Sequence, residues 1–164
     1  MTFFYLPILH THTPNHTTMA PSNMKAIKVV EAKKAELQDV PVPKLRDDYV
    51  LVKVEAVALN PTDWKHVDYL ANPGATVGCD YAGVVEEGGS AVQKKFSKVD
   101  RIAGFSHGVN SANKEDGCFA QYALSKGDVQ MKVPDSLSTE DAATLGVGVT
   151  TVGQVRNLER CCKT

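Results

Sequence analysis

The alternation of apolar and polar positions is sharpest over residues 49–59, "YVLVKVEAVAL". Val50, Val52, Val54, Ala56 and Ala58 form one uniformly apolar face. Leu51, Lys53, Glu55, Val57 and Leu59 form a second face, charged only in its middle. Period two with β-branched content predicts a strand. Shorter runs of the same kind predict strands at "MKAIKVV", "AELQDV", "DYAGVVEE", "DRIAGF", "CFAQYALS" and "VQMKVP". Turn-rich connections such as "PVPKLRDD", "GGSAVQKKFSK" and "SHGVNSANKEDG" separate them. Many short strands with Gly and Pro turns point to a barrel or sandwich.

Two stretches depart from this pattern. "TDWKHVDYLA" predicts a short helix, capped by Thr62 or Asp63 and stopped by "NPG" at 72–74. After Pro134, "SLSTEDAATLGVGVTTVGQV" predicts one helix from Ser138 as N-cap to about Val155, with Asp141 in a variant of the capping box. Gly146, Gly148 and Gly153 weaken that helix. "GVGVTTVG" resembles a dinucleotide fingerprint only superficially. Thr151 stands where its third glycine belongs, and the run lies inside a helix instead of opening one after a strand. Its small residues fit close approach of another backbone or a ligand.

Composition adds exclusions. The chain has 164 residues, 43% hydrophobic and 23% charged, enough for one domain with a core. A net charge of -1 gives no electrostatic footprint for nucleic acid or an anionic membrane. No run approaches the roughly 18 apolar residues of a membrane span. The opening "MTFFYLPIL" lacks a basic start and is broken by Pro7, which makes it a poor secretory signal. Cys79, Cys118, Cys161 and Cys162 include no C-x-x-C pair, so a reducing, cytoplasmic setting is expected. Residues 1–23 read as a disordered extension, with Met19 and Met24 as alternative starts. Its His10, His12 and His16 would form a metal tract without supporting partners.

Taken in order, "MKAIKVV", "VLVKVEAVALNPTDWK", "GCDYAGVVEEGG", "VDRIAGF", "GCFAQYAL" and "KVPDSLSTEDAATLGVGVTT" resemble the N-terminal half of the medium-chain dehydrogenase/reductase family. "NPTDWK" and "GVGVTTVGQ" are most similar to its zinc-independent enoyl reductases of fungal type, which include enzymes acting in trans with polyketide synthases. The resemblance implies a mainly β, GroES-like, partly open β-barrel over residues 24–135, of the alcohol dehydrogenase N-terminal type, with a C-terminal interdomain helix in residues 136–164. It implies NADPH as cofactor, and an enoyl, enone or polyketide-type small molecule as substrate. A polyketide synthase is the implied protein partner.

By the same resemblance, Thr62, Asp63, Trp64 and Lys65 would line the cofactor side of a cleft. Lys65 would bond the nicotinamide ribose or phosphate, and Thr62 the carboxamide. Thr150 and Thr151 would face substrate and nicotinamide. Plainer readings stand beside these: Lys65 as a solvated helix residue, Asp63 as a cap, Trp64 as a core anchor, and both threonines bonding their own helix backbone. His66 and His107 read as surface or loop residues without assigned chemistry. No side chain is singled out as catalytic.

Zinc-dependent relatives carry Cys where this chain has Asn60, and Gly-His-Glu where it reads Gly78-Cys79-Asp80. They carry four closely spaced Cys where Cys118 stands alone. No metal site is expected, and Cys79 reads as a small buried residue. Two departures from the family matter. Val99 stands in a turn where relatives usually have Gly. The closing "VRNLERCCKT" does not continue the family pattern, so the dinucleotide domain, on the order of another 150 residues, is expected to be essentially absent. Two readings follow: an oxidoreductase incomplete as written, or a non-catalytic barrel module or partner-binding remnant. Exposed Leu145, Val147, Val149 and Val152 would then promote self-association.

Overall fold

The computed structural model describes residues 20–161. The histidine tract, Pro7 and Met19 therefore lie outside the described residues. Strands β1 (Asn23–Glu31) and β2 (Lys34–Pro41) form an antiparallel hairpin, paired from Asn23↔Pro41 to Glu31↔Lys34. The remaining strands are β3 (Tyr49–Ala58), β4 (Asp80–Gly88), β5 (Arg101–Phe105), β6 (Tyr122–Lys126) and β7 (Met131–Lys132). They make a five-stranded antiparallel sheet in the order β6-β3-β4-β5-β7. The sheet is open, and the hairpin joins its surroundings through bridges Ala26↔Ala120 and Lys28↔Thr76. The architecture is mainly β and GroES-like, as the resemblance implied.

β3 shows why the alternation was informative. Val50 and Val52 are fully buried with Tyr81, Val85, Ile102, Cys118 and Ala123, while Lys53, Glu55 and Val57 are exposed. Leu51 is an exception on the second face, buried where the strand begins. Removing such apolar side chains from water contributes roughly 1.5–3 kcal/mol each. A second cluster of Val29, Val67, Ala75, Val77 and Val109 sits under the hairpin. A third, of Ala82, Ala103, Ala142 and Ala143, attaches a helix to the sheet.

Several element boundaries differ from expectation. Helix α1 (Pro61–Lys65) is capped by Asn60, not by Thr62 or Asp63, because Pro61 supplies the first helical position and needs no N–H partner. A π-helical turn, His66–Leu70, continues it to Ala71, whose left-handed φ of 38° ends the run just before "NPG". Of "CFAQYALS", only the part from Tyr122 onward joins a ladder; of "VQMKVP", only Met131–Lys132 does.

The expected helix over 138–155 is broken in two. α2 (Thr139–Ala143) has Ser138 as N-cap, its Oγ accepting the Asp141 N–H at 3.1 Å. α3 (Gly146–Cys161) starts afresh. The cause is tertiary: the Val147 N–H donates to Asp80 Oδ1 at 2.7 Å instead of to a preceding turn. Gly146 permits this contact. A Cβ there would lie 2.5 Å from both Asp80 Oδ1 and the Gly104 carbonyl oxygen. The small residues of this run do serve close backbone approach, at Gly146. Among the described residues, no helix is long and apolar enough to cross a membrane.

Candidate functional site

The site begins where β3 ends. Asn60 is extended, with φ -118° and ψ 152°, and its N–H donates to Asp63 Oδ2 at 2.7 Å. This fixes the phase of α1, so that Thr62 and His66, four residues apart, share one face. Thr62 Oγ1 lies 3.0 Å from His66 Nε2, and His66 Nδ1 lies 3.2 Å from the Gly108 carbonyl oxygen. A carbonyl only accepts, so in the neutral ring Nδ1 carries the proton and Nε2 accepts from the Thr62 hydroxyl. Thr62 then offers its lone pairs to the adjoining space.

That space is a cleft of about 530 Å³. One wall is Thr62. The floor is Cys79, Phe105 and Ser106, at the ends of β4 and β5, with exposed His107 at the edge. The opposite wall is α3, which presents Val147, Thr150, Thr151 and Gln154. Their i, i+3, i+4, i+7 spacing puts all four on one helical face. Ser106 keeps the floor rigid: its N–H donates to the Cys79 carbonyl at 2.7 Å, and its hydroxyl is bonded to the Asp116 and Leu124 carbonyls. Gly78, with φ 100°, lets the chain turn into Cys79 under the Phe119 ring, which a Cβ would strike at 2.1 Å.

Beneath the cleft lies a pair of carboxylates. Asp80 is 1% exposed, with Oδ2 accepting from Asn60 Nδ2 at 2.9 Å and Oδ1 accepting the Val147 N–H. Burial raises its pKa above the ordinary value. The Asn60 and Val147 donors oppose that shift, and the nearby Asp63 charge adds to it. Asp63 is itself buried, and its Oδ1 has no hydrogen-bond partner within the protein. Burial, then the Asp63 carboxylate, pushes the Cys79 thiol up to about 12. Cys79 is thus protonated at neutral pH, a small buried residue and not a thiolate. Among the described residues no group of three His, Cys, Asp or Glu is placed to hold a metal ion. Asn60 presents its amide donor to Asp80, so it offers no ligand atom in that direction.

The structure brings Thr62, Thr150 and Thr151 together. It places the other three residues singled out beside them differently. Asp63 points inward and accepts the Asn60 N–H. Trp64 is half exposed, 6.3 Å from the Tyr69 ring and tilted against it. The Lys65 ammonium lies 5.6 Å from the Trp64 ring centroid. Neither Trp64 nor Lys65 lines the cleft. His66 was the residue missed, and its signal was its position one turn after Thr62. Ser106, Phe105 and Gln154 carried no comparable signal, since only the sheet and α3 bring them near.

Comparison with known proteins bears on the fold and the family. Residues 46–135 match the alcohol dehydrogenase GroES-like domain. A trans-enoyl reductase of Cochliobolus carbonum is 55% identical over 131 residues, covering 79% of this chain and 44% of the relative. A trans-enoyl reductase of Aspergillus sclerotiorum is 52% identical over 128 residues, covering 78% and 36%. Among solved structures, the quinone oxidoreductase of Coxiella burnetii has a TM-score of 0.69 at 28% identity, over 83% of this chain and 45% of that one. A mycobacterial protein solved as a complex with NADPH has a TM-score of 0.63 at 25% identity, over 73% and 37%. The chain spans less than half the length of each of these relatives. The matched domain and the fungal likeness together place the chain in the medium-chain dehydrogenase/reductase family, as an enoyl reductase-like member carrying its GroES-like domain.

Proposed function

We propose that this chain supplies the substrate- and nicotinamide-facing wall of a zinc-independent, NADPH-dependent oxidoreductase that reduces an activated C=C bond in an enoyl, enone or polyketide-type substrate. The observation that carries the reading is the convergence of Thr62 from α1 with Thr150 and Thr151 from α3 on one cleft. Relatives named trans-enoyl reductases, at 55% and 52% identity, support the reaction class. The NADPH complex of the mycobacterial neighbour supports the cofactor. Residues 24–135 act as the barrel-like unit, and α2 with α3 as the interdomain element.

NADPH, when bound, would supply a hydride for the β-carbon of the activated double bond, and a proton from solvent at the α-carbon would complete the reduction. The protein's part is positional and electrostatic. Thr62 Oγ1, already donating to His66, accepts from a carboxamide N–H. Thr150 and Thr151 offer hydroxyl donors to the oxygen on which negative charge develops. Val147 and Phe105 keep water away from that oxygen. Lys65 and Trp64, on the outer side of α1, meet ribose or phosphate at the rim. Asp63 holds the loop that carries Thr62 and takes no part in the chemistry.

The donor set fits an enzyme without zinc: Asn60 is engaged with Asp80, and Cys79 is protonated. Exposed Trp64, Tyr69 and Leu70 offer a surface to a partner that carries a tethered acyl substrate, such as a polyketide synthase. Titration of the full chain with NADPH, followed by Trp64 fluorescence and calorimetry, tests the reading. Saturable binding weakened by Thr150→Val and Thr151→Val is expected. A folded chain that binds no NADPH overturns it, in favour of a non-catalytic module.

A further inference from the structure

We propose that Asp80 is the positioning residue that sets the width of the cleft, because its single carboxylate holds both walls at once. Oδ2 takes the Asn60 Nδ2–H at the entry to α1, two residues before Thr62. Oδ1 takes the Val147 N–H at the first turn of α3, one turn before Thr150 and Thr151. The two walls come from different parts of the chain. Thr62 belongs to a helix that follows β3, and the threonine pair belongs to a helix that follows β7.

Three features make the link specific. A carboxylate can only accept, so Asn60 must present its amide nitrogen. Gly146 leaves room for the contact, since a Cβ would sit 2.5 Å from Asp80 Oδ1. Asp80 is held from behind as well: Cys118 Sγ lies 3.4 Å from its carbonyl oxygen, and the β4–β5 register pairs Asp80 with Phe105 on the cleft floor. Charge-assisted hydrogen bonds of this kind are the stronger class. A small shift of Asp80 therefore moves Thr62 and Thr150 together, and with them the spacing between carboxamide acceptor and enolate donors. This consequence for NADPH rests on the function proposed above; the mechanical link does not.

The test is hydrogen exchange of single amides in the full chain at pH 7.5, paired with NADPH titration. Asp80→Ala is expected to lower protection about tenfold at Val147 and also at Asn60 and Asp63, with Val29 under the hairpin unchanged. Asn60→Asp sets a second carboxylate against Asp80 and is expected to loosen the same amides. The swap N60D/D80N puts the amide on the other partner, keeps an acceptor for Val147 and preserves volume, so it is expected to restore protection at both walls. If Asn60→Asp leaves Val147 as protected as before, or if the swap stays as loose as Asn60→Asp alone, Asp80 does not link the walls. In the NADPH arm, Kd is expected to rise for Asn60→Asp and return for the swap. A wild-type chain that binds no NADPH defeats the proposed function, while the exchange pattern still decides the role of Asp80.

Discussion

The hydroxyl of Thr62 and the imidazole of His66 lie 3.0 Å apart on one face of the first helix, and the ring is anchored on its far side by the Gly108 carbonyl. In the neutral ring the order of donors follows: His66 Nδ1–H gives to Gly108, and Thr62 Oγ1–H gives to Nε2. Thr62 faces the cleft as an acceptor. Thr62→Ser keeps that arrangement and is expected to leave NADPH affinity close to wild type. Thr62→Val removes one neutral hydrogen bond and is expected to raise Kd by roughly 2- to 12-fold, the equivalent of about 0.5–1.5 kcal/mol. Calorimetric titration of both variants checks this, and equal losses in the two would remove Thr62 from the site.

The three glycines near the start and middle of α3 are not equivalent. Gly146→Ala drives a methyl group into the Asp80 carboxylate and the Gly104 carbonyl, both at 2.5 Å. It is expected to destabilise the chain by about 2 kcal/mol or more, as overpacking against backbone does. At Gly148 and Gly153 an added Cβ would meet nothing within 4 Å, so Ala there gains helix propensity. Each is expected to stabilise by roughly 0.5–1 kcal/mol. Urea denaturation of the three single variants separates the cases by sign.

That contrast marks where the sequence is readable. β3 announces itself because Val50 and Val52 meet the core through their own side chains, a property local to the strand. The break between α2 and α3 does not, because its cause is Asp80, more than sixty residues earlier in the chain, and local capping signals at Ser138 predict only a beginning. At the site, "NPTD" carries a legible start: Asn as cap, Pro at the first position and Asp at the third. Reading the cap at Thr62 or Asp63 instead loses the phase of the helix. The phase is what puts Thr62 on the cleft wall, with His66 hydrogen-bonded to it, and leaves Trp64 and Lys65 out of the lining.

Val99 adopts φ 73° in the turn before β5 and is 74% exposed. A β-branched residue is costly there, at about 1–2 kcal/mol, and exposure gives no packing in return. The turn is still formed, with Val99 N–H bonded to the Val85 carbonyl at 3.0 Å and Ser97 N–H to Asp100 Oδ2 at 2.7 Å. Val99→Gly is expected to stabilise the chain by about 0.5–1 kcal/mol after the entropy cost of glycine, or about 1–4 °C in Tm. Differential scanning calorimetry measures it. A fall in Tm would mean that the turn tolerates Val without strain.

Leu145, just before the last helix, and Val149, Val152 and Val155 along it are exposed, while Val147 turns half-buried toward the cleft. An apolar stripe on one helix face favours association, so the purified chain is expected to form dimers or larger species at high concentration. Val152→Lys, at a position 60% exposed, is expected to shift the distribution toward monomer without loss of stability. Sedimentation velocity across a concentration series reads both. Wild-type chain that stays monomeric throughout would show that the stripe does not drive association.

Asp80 gives stability a pH dependence of unusual sign for a carboxylate. Its pKa in the folded chain lies above the ordinary value of 3.8, chiefly through burial. Between 3.8 and that raised value the folded state binds more protons than the unfolded state, so stability falls as pH rises through this window. Above the raised value the loss is complete and the contribution is flat. The groups that face Asp80 do not cancel this: Asp63 adds negative charge, and the Cys79 and Cys118 thiols are held protonated by burial. Asp80→Asn has no charge to bury and keeps an acceptor for Val147, while the Asn60 amide turns over to accept from the new side chain. The difference in unfolding free energy, wild type minus Asp80→Asn, is therefore expected to fall from about pH 4 upward and then level off. Urea titrations at half-unit intervals trace it. A difference that rises with pH would mean that the two donors outweigh burial and that the carboxylate is ionised more readily in the folded chain than in the unfolded one.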